Sequence, residues 1–256
     1  MACKICGWLC ALFCADADVV AARANLWKQS EKWESAHSNE YKLWSRASDQ
    51  ERERLDAAAT LQTTDPEAAF RMYLDLADAG VVWAMQIVAH QYAWGTIVPN
   101  DFEQAQIYYC RAIEAGSWMA TLRYAWLMAR QGYFEESETV LQDGVNADFV
   151  PASYWLARCR YHQSSDRKTC RVIRPLLEHA VEAGHPGAAL FLARLKARGK
   201  FGFREIPRGF KEMIQVVERT HDAVSSSGSN PISAATAQSS ATRSMSSRGS
   251  IDKCTY

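Results

Sequence analysis

AIEAGSWMA, residues 112–120, has near-copies in LADAGVVWA at 76–84 and AVEAGHPGA at 180–188. A fourth version, VNADFVPA at 145–152, ends on Ala152 with Asp148 where the others carry glycine. Gly80 and Gly116 are 36 residues apart, Gly116 and Asp148 are 32, and Asp148 and Gly184 are 36 again. A period of this length marks a stack of small supersecondary units. Each unit reads as two helices of about a dozen residues, the first stopped by a residue in the left-handed conformation. Glycine takes that conformation freely, and Asp is among the few other residues that tolerate it.

The first two units align in detail. Asp65, Ala69, Tyr73, Gly80 and Ala84 fall on Asp101, Ala105, Tyr109, Gly116 and Ala120. In TTDPE (63–67), Asp65 suits a helix N-cap and Pro66 the first helical position. Ala105, Tyr109 and Ala112 are spaced i, i+4, i+7 and form one helix stripe. Alanine at a crossing lets two helix axes approach closely while the aromatic ring fills the space beside it. Such units bury their apolar faces only by stacking. A fourth unit covers about 169–202, and IPRGFKEMIQVVERTHD (206–222) supplies a capping helix.

The chain has 256 residues, 48% of them apolar, enough for a sizeable core. Its 29 Lys and Arg balance 29 Asp and Glu, which argues against a protein that grips nucleic-acid backbones. No Pro or Gly occurs between Trp8 and Pro66, so residues 18–62 form an N-terminal helical region of two long charged helices. Trp27, Trp33, Trp44 and Leu55 are its expected buried anchors, with DQERERLD (49–56) as a solvated face.

The first seventeen residues differ in character. Lys4 precedes an apolar run from Ile5 to Cys14, followed by Ala15-Asp16-Ala17, which together resemble an export signal and its cleavage site. The run is too short to span a bilayer. Its alternatives are an apolar helix of a cytosolic protein, or a membrane-surface anchor formed by residues 1–14. Cys3, Cys6, Cys10 and Cys14 would share one face of a helix, but the outer two would stand roughly 16 Å apart, too far to share one zinc ion. No metal or other cofactor is expected. Residues 224–256 form a tail with eleven serines from residue 225 on and few large apolar side chains, a composition typical of disorder.

The unit AMQIVAHQYAWGTIVPNDFEQAQIYYCRAIEAGSWMA (84–120) resembles a Sel1-like repeat, a relative of the tetratricopeptide repeat. Ala84, Tyr92, Gly95, Val98, Asp101, Ala105, Tyr108, Tyr109, Ala112 and Gly116 match its pattern. Ile97 replaces the second turn glycine, and Gln104 and Arg111 replace the usual lysines. The third unit departs further, with a shortened turn at Gly132-Tyr133 and Gly144 at the alanine position of its first helix. The resemblance implies an all-α, right-handed solenoid of antiparallel helix pairs over 63–223, whose first helices line a concave face. It also implies an adaptor or scaffold that holds a protein or peptide.

Residues one position before the alanine-tyrosine stripe are expected to look into that concavity: Met72, Asp75, Tyr108, Arg111, Val140 and Asp143, with Leu176 further along. The competing reading is that Met72, Val140 and Leu176 pack between repeats. Cys159 and Cys170 lie on neighbouring helices, within reach of a disulfide if the protein is exported, and are two buried thiols in a reducing compartment. The histidines at 37, 90, 162, 179, 185 and 221 show no H-E-x-x-H spacing. G-x-S-x-G, P-loop and G-x-G-x-x-G motifs are missing from the sequence. A non-enzymatic adaptor is therefore the expected function. The alternatives are a membrane-peripheral regulator held by residues 1–14, and a helical enzyme without a familiar motif.

Overall fold

The computed structural model describes the backbone of residues 17–227 and the side chains of 24–219. The expected export signal of residues 1–17, apart from Ala17, the alternative anchor of residues 1–14, and most of the serine-rich tail lie outside the described residues. Twelve α-helices occur among those described: α1 (Ala17–Ala36), α2 (Glu40–Trp44), α3 (Asp49–Leu61), α4 (Pro66–Asp78), α5 (Val82–Trp94), α6 (Phe102–Glu114), α7 (Trp118–Gln131), α8 (Phe134–Asn146), α9 (Val150–Gln163), α10 (Arg167–Glu182), α11 (Pro186–Ala197) and α12 (Ile206–Ser227). Helices α4–α5, α6–α7, α8–α9 and α10–α11 are four repeated pairs, each stacked on the next. Helix α3 packs on the first pair and α12 on the last.

The repeated sequence stretch folds the same way four times. Gly80, Gly116 and Gly184 have φ of 100°, 91° and 90°, and Asp148 has φ of 60°. Asp148 therefore takes the left-handed conformation its position demands. In each turn the next residue's N–H (Val81, Ser117, Phe149, His185) donates across the turn to the carbonyl of Leu76, Ala112, Gly144 or Ala180, at 2.9 Å in every case. That bond satisfies a carbonyl which the helix end would leave orphaned. Ala84, Ala120, Ala152 and Ala188 then enter the second helix fully buried. Asp65 and Asp101 cap α4 and α6 as expected, accepting from the Ala68 and Gln104 N–H at 2.9 and 3.0 Å. The fourth pair starts earlier than the sequence suggests: Asp166 accepts from the Thr169 N–H at 2.6 Å, which gives α10 an extra N-terminal turn.

The core is continuous along the array. One apolar cluster fills the first two repeats, a second joins α7, α8 and α9, and a third spans α9, α10 and α11. Val140 packs against the first and second, and Leu176 against the second and third. Alanines at the crossings keep the axes close. At Gly144 an added Cβ would lie 2.8 Å from the Ala152 Cβ, so this crossing is tighter than an alanine pair permits.

The N-terminal region differs from the two-helix reading. It forms three helices because Ser38-Asn39 and the Ser45–Ser48 stretch interrupt it, and Ser48 opens α3 with a capping box to Glu51. Leu55 is buried as expected, but Trp33 and Trp44 are half-buried and Trp27 is 43% exposed; Leu43 is the buried apolar residue of α2. At the other end α12 continues past Asp222 to Ser227, since serine lowers helix propensity only slightly.

Candidate interaction surfaces

Two faces of the array are chemically distinct. The first is the row of first helices, where sequence reasoning placed a partner. Residues 72, 108, 140 and 176 occupy one repeat position, and the structure puts that position at the seam between repeats. Tyr108 is 7% exposed, while Met72, Val140 and Leu176 are half-buried against the core. For Met72, Val140 and Leu176 this is the competing reading, packing between repeats, and Tyr108 shares that position with them. The residue before each is turned about 100° further round the helix, and Arg71, Ile107, Thr139 and Pro175 are all exposed.

Of the remaining expected partner residues, Asp75 and Asp143 are exposed, with Asp75 3.8 Å from Arg54. Arg111 is bound into the fold instead. Its guanidinium donates to Asp78 Oδ1 at 3.1 Å and to the Ala77 carbonyl at 2.9 Å, closing the C-terminus of α4. It also lies 5.2 Å from the Tyr108 ring centre. The Tyr108 hydroxyl donates to the same Asp78 oxygen at 2.9 Å. Burial, then the Asp78 bond, pushes its pKa up to about 12. Tyr108, Arg111 and Asp78 thus clasp the first repeat to the second.

The second face follows the N-termini of α7 and α11, and helices α1 and α2 lie along it. Glu40, 7% exposed, accepts from Gln86 Nε2 at 2.7 Å and from Ser117 Oγ at 2.8 Å. Asn39 donates to the Gly116 carbonyl at 2.6 Å and accepts from the Trp118 N–H at 3.1 Å. One helical turn and a loop earlier in the chain, Glu34 Oε1 accepts from Trp155 Nε1 at 2.9 Å and meets His185 Nε2 at 3.0 Å. Ser117 and His185 hold the same repeat position, and each caps its second helix by accepting a backbone N–H, from Ala120 at 3.0 Å and Ala188 at 3.1 Å. Because His185 Nδ1 accepts, the ring proton sits on Nε2 and points at Glu34. Both carboxylates therefore lie at helix N-termini, where the helix dipole favours negative charge. Trp33 stacks on His37 and touches His185 edge-on, and Trp44 meets Trp83. This strap was not read from the sequence, where Glu34, Asn39 and Glu40 look like residues of a solvated helix.

The other chemistry is structural. His90 packs beside Trp94 with Nδ1 buried and unpartnered, and burial, followed by the charge of Arg123, lowers its pKa to about 4. His162 stacks on Phe134. Ser153 and His179 approach to 3.2 Å, but Ser153 is fully buried, so the pair links α9 to α10 and offers no nucleophile to a substrate. A cleft of about 130 Å³ between α2, α3 and the α4–α5 turn is well below the roughly 300–1,000 Å³ of small-molecule sites. No group of three His, Cys, Asp or Glu residues among those described could hold a metal ion, and no described helix is long and apolar enough to cross a membrane.

Of the two readings of Cys159 and Cys170, a disulfide on export or a pair of buried thiols, the structure has the second: both are free and buried. Cys159 belongs to the α7–α9 cluster and donates to Ser137 Oγ at 3.6 Å. Cys170 belongs to the α9–α11 cluster and donates to the Ser165 carbonyl at 3.9 Å. They face different neighbours, and burial raises the pKa of each.

No protein-family profile and no curated protein matches the chain. Solved structures do match. The fold is similar to that of a Sel1 repeat protein from Oxalobacter formigenes, with a TM-score of 0.54 and 17% identity over 66% of this chain and 72% of that one. It is also similar to c5321, a protective antigen present in uropathogenic Escherichia coli strains that displays an SLR fold. There the TM-score is 0.51 at 16% identity, over 72% of this chain and 42% of that one. The chain thus has the Sel1-like repeat fold, and spans less than half of the second structure.

Proposed function

We propose that this protein is a non-enzymatic adaptor which docks a protein partner along the exposed side of α4, α6, α8 and α10. The observation that carries this reading is the inequality of the two faces. The edge formed by the second-helix N-termini is already covered by α1 and α2, whereas the first-helix row is open in all four repeats. Its exposed residues mix aliphatic and charged groups: Ile107 at 48% exposure and Val172 at 53%, beside Asp75, Glu135, Asp143 and Arg171. Such a surface suits a folded or helical polypeptide, and because the row is preformed, little ordering is needed on binding.

The test is recovery of bound protein on the full chain and on an Ile107→Glu/Val172→Glu variant, with helix content and Tm checked in parallel. The reading expects a specific partner on the parent chain, and its loss on a variant that melts unchanged. Equal recovery on both chains rejects it. Anchoring by residues 1–14 is a separate proposal resting on sequence alone; it requires that deletion of those residues move the protein from membranes to the soluble fraction.

A further inference from the structure

The charge of the array is segregated along its length. Residues 65–163 hold twelve Asp and Glu against six Lys and Arg, a formal charge of −6, and residues 164–219 hold six against twelve, +6. The division falls between α8 and α10, successive members of the first-helix row. Glu67, Glu103 and Glu135 occupy one repeat position, and the fourth residue of that series is Arg171. All four are exposed.

Local physics does not account for the switch. Helices α4, α6 and α8 begin with acidic residues in the first turn, where the helix dipole favours them, but α10 begins with Arg167 and Lys168 and has no acidic residue there. Nor do internal ion pairs use these charges. Among the described residues Glu178 and Glu205 lie beside Arg174, and Glu212 beside Lys196 and Arg208. Arg167, Lys168 and Arg171 on α10 form no ion pair, and neither do Glu135, Glu136 and Asp143 on α8. Two adjacent helices thus expose unpaired charges of opposite sign: Arg167 and Lys168 in the first turn of α10, where the dipole disfavours them, with Arg171 one turn on, and Glu135 and Glu136 in the first turn of α8, with Asp143 near its C-terminus.

From this we infer that α8 and α10 form a self-complementary docking site for a second copy of the chain. It rests on the reading that the first-helix row is the docking face. A two-fold axis parallel to these helices, midway between them, lays α8 of one copy over α10 of the other with both running the same way. Glu135 of each copy then stands level with Arg171 of the other, and Arg167 and Lys168 extend one turn beyond. A two-fold interface must be complementary to itself, and an acidic helix beside a basic one meets that condition, whereas the mainly acidic row of the first three repeats does not. Exposed charge pairs are individually weak and screened by salt, so the pair is reversible and dissociates as ionic strength rises.

The test is analytical ultracentrifugation of the full chain at about 0.01 M and about 1 M salt, where the Debye length falls from roughly 30 Å to 3 Å. Dimer at low salt and monomer at high salt is the expected result. Arg167→Glu/Lys168→Glu/Arg171→Glu and Glu135→Lys/Glu136→Lys/Asp143→Lys are each expected to be folded monomers at low salt, and their equimolar mixture to form the heterodimer. A parent chain that stays monomeric at low salt, a dimer indifferent to salt, or variants that dimerise alone all overturn the inference. If either variant misfolds, the salt response of the parent chain still decides. A monomeric parent chain that loses its partner on Ile107→Glu/Val172→Glu would refute self-pairing and leave the adaptor reading standing.

Discussion

Gly209 sits where α12 crosses α11, and a Cβ built there would lie 2.3 Å from the Ala197 nitrogen, 2.7 Å from the Lys196 Cβ and 2.8 Å from the Ala193 carbonyl oxygen. Two of these three neighbours are backbone atoms, so no side-chain rotation relieves the clash. Restoring ordinary contact moves α12 away from α11 by about 1 Å or more, since van der Waals separations are roughly 3.5–4 Å. That shift opens the packing of Met213, which is 4% exposed, and stretches the Lys196–Glu212 pair, now at 2.8 Å, whose lysine is buried. Alanine's advantage over glycine in a helix, about 1 kcal/mol, acts the other way. Overpacking costs about 1–3 kcal/mol and lost Met packing about 2 kcal/mol or more, so Gly209→Ala is expected to destabilise by about 2–4 kcal/mol net. In a repeat array the loss concentrates at the end that is loosened. Thermal and urea unfolding of Gly209→Ala should therefore reveal an early, low-amplitude transition followed by the main one. A higher Tm with a single transition would mean that helix propensity outweighs packing, and would refute this account of the cap.

Asp148→Gly is expected to raise stability by about 0.5–1 kcal/mol, because it relieves a left-handed non-glycine residue, while Asp148→Ala lowers it; urea midpoints give both signs. His90 makes stability depend on pH. Its folded pKa of about 4 lies below the unfolded value near 6.5, so between the two the unfolded chain binds more protons and stability falls as the pH is lowered, by about 1.4 kcal/mol per unit. His90→Phe should flatten that window in a series of urea titrations. At the strap, His185→Ala removes both an N-cap and the Glu34 bond, for about 2–4 kcal/mol, whereas His185→Asn keeps the cap and should cost less. Equal losses in the two variants would assign the whole effect to the strap.

The parts of the fold legible in sequence are those fixed by residues close together along the chain. The left-handed turn residue, the buried alanine four residues later and the aspartate N-caps lie within one turn of the helix ends they define, and Asp148 was readable as a glycine substitute on steric grounds alone. The strap was not legible, because its bonds join residues 77, 121 and 151 positions apart, and nothing local separates a buried glutamate from a solvated one. The exposed row of the first helices lies one residue from the row expected to look into the concavity. Periodicity finds the apolar stripe of a helix, but not which flank faces the next repeat, and that flank is the seam holding Tyr108 and Val140. The two readings of Cys159 and Cys170 stayed open in sequence for a related reason: closeness along the chain does not say into which cluster each sulfur points.

The central claim is that the first-helix row receives a protein while the opposite edge is filled by the chain itself. The most direct measurement places a photo-crosslinking amino acid at Ile107 or Val172 in the full chain, with Tyr41, 82% exposed on the strap, as the comparison. The account predicts discrete protein adducts from residues 107 and 172 and none from residue 41. Adducts from residue 41 alone would contradict it and move the docking surface to the strap.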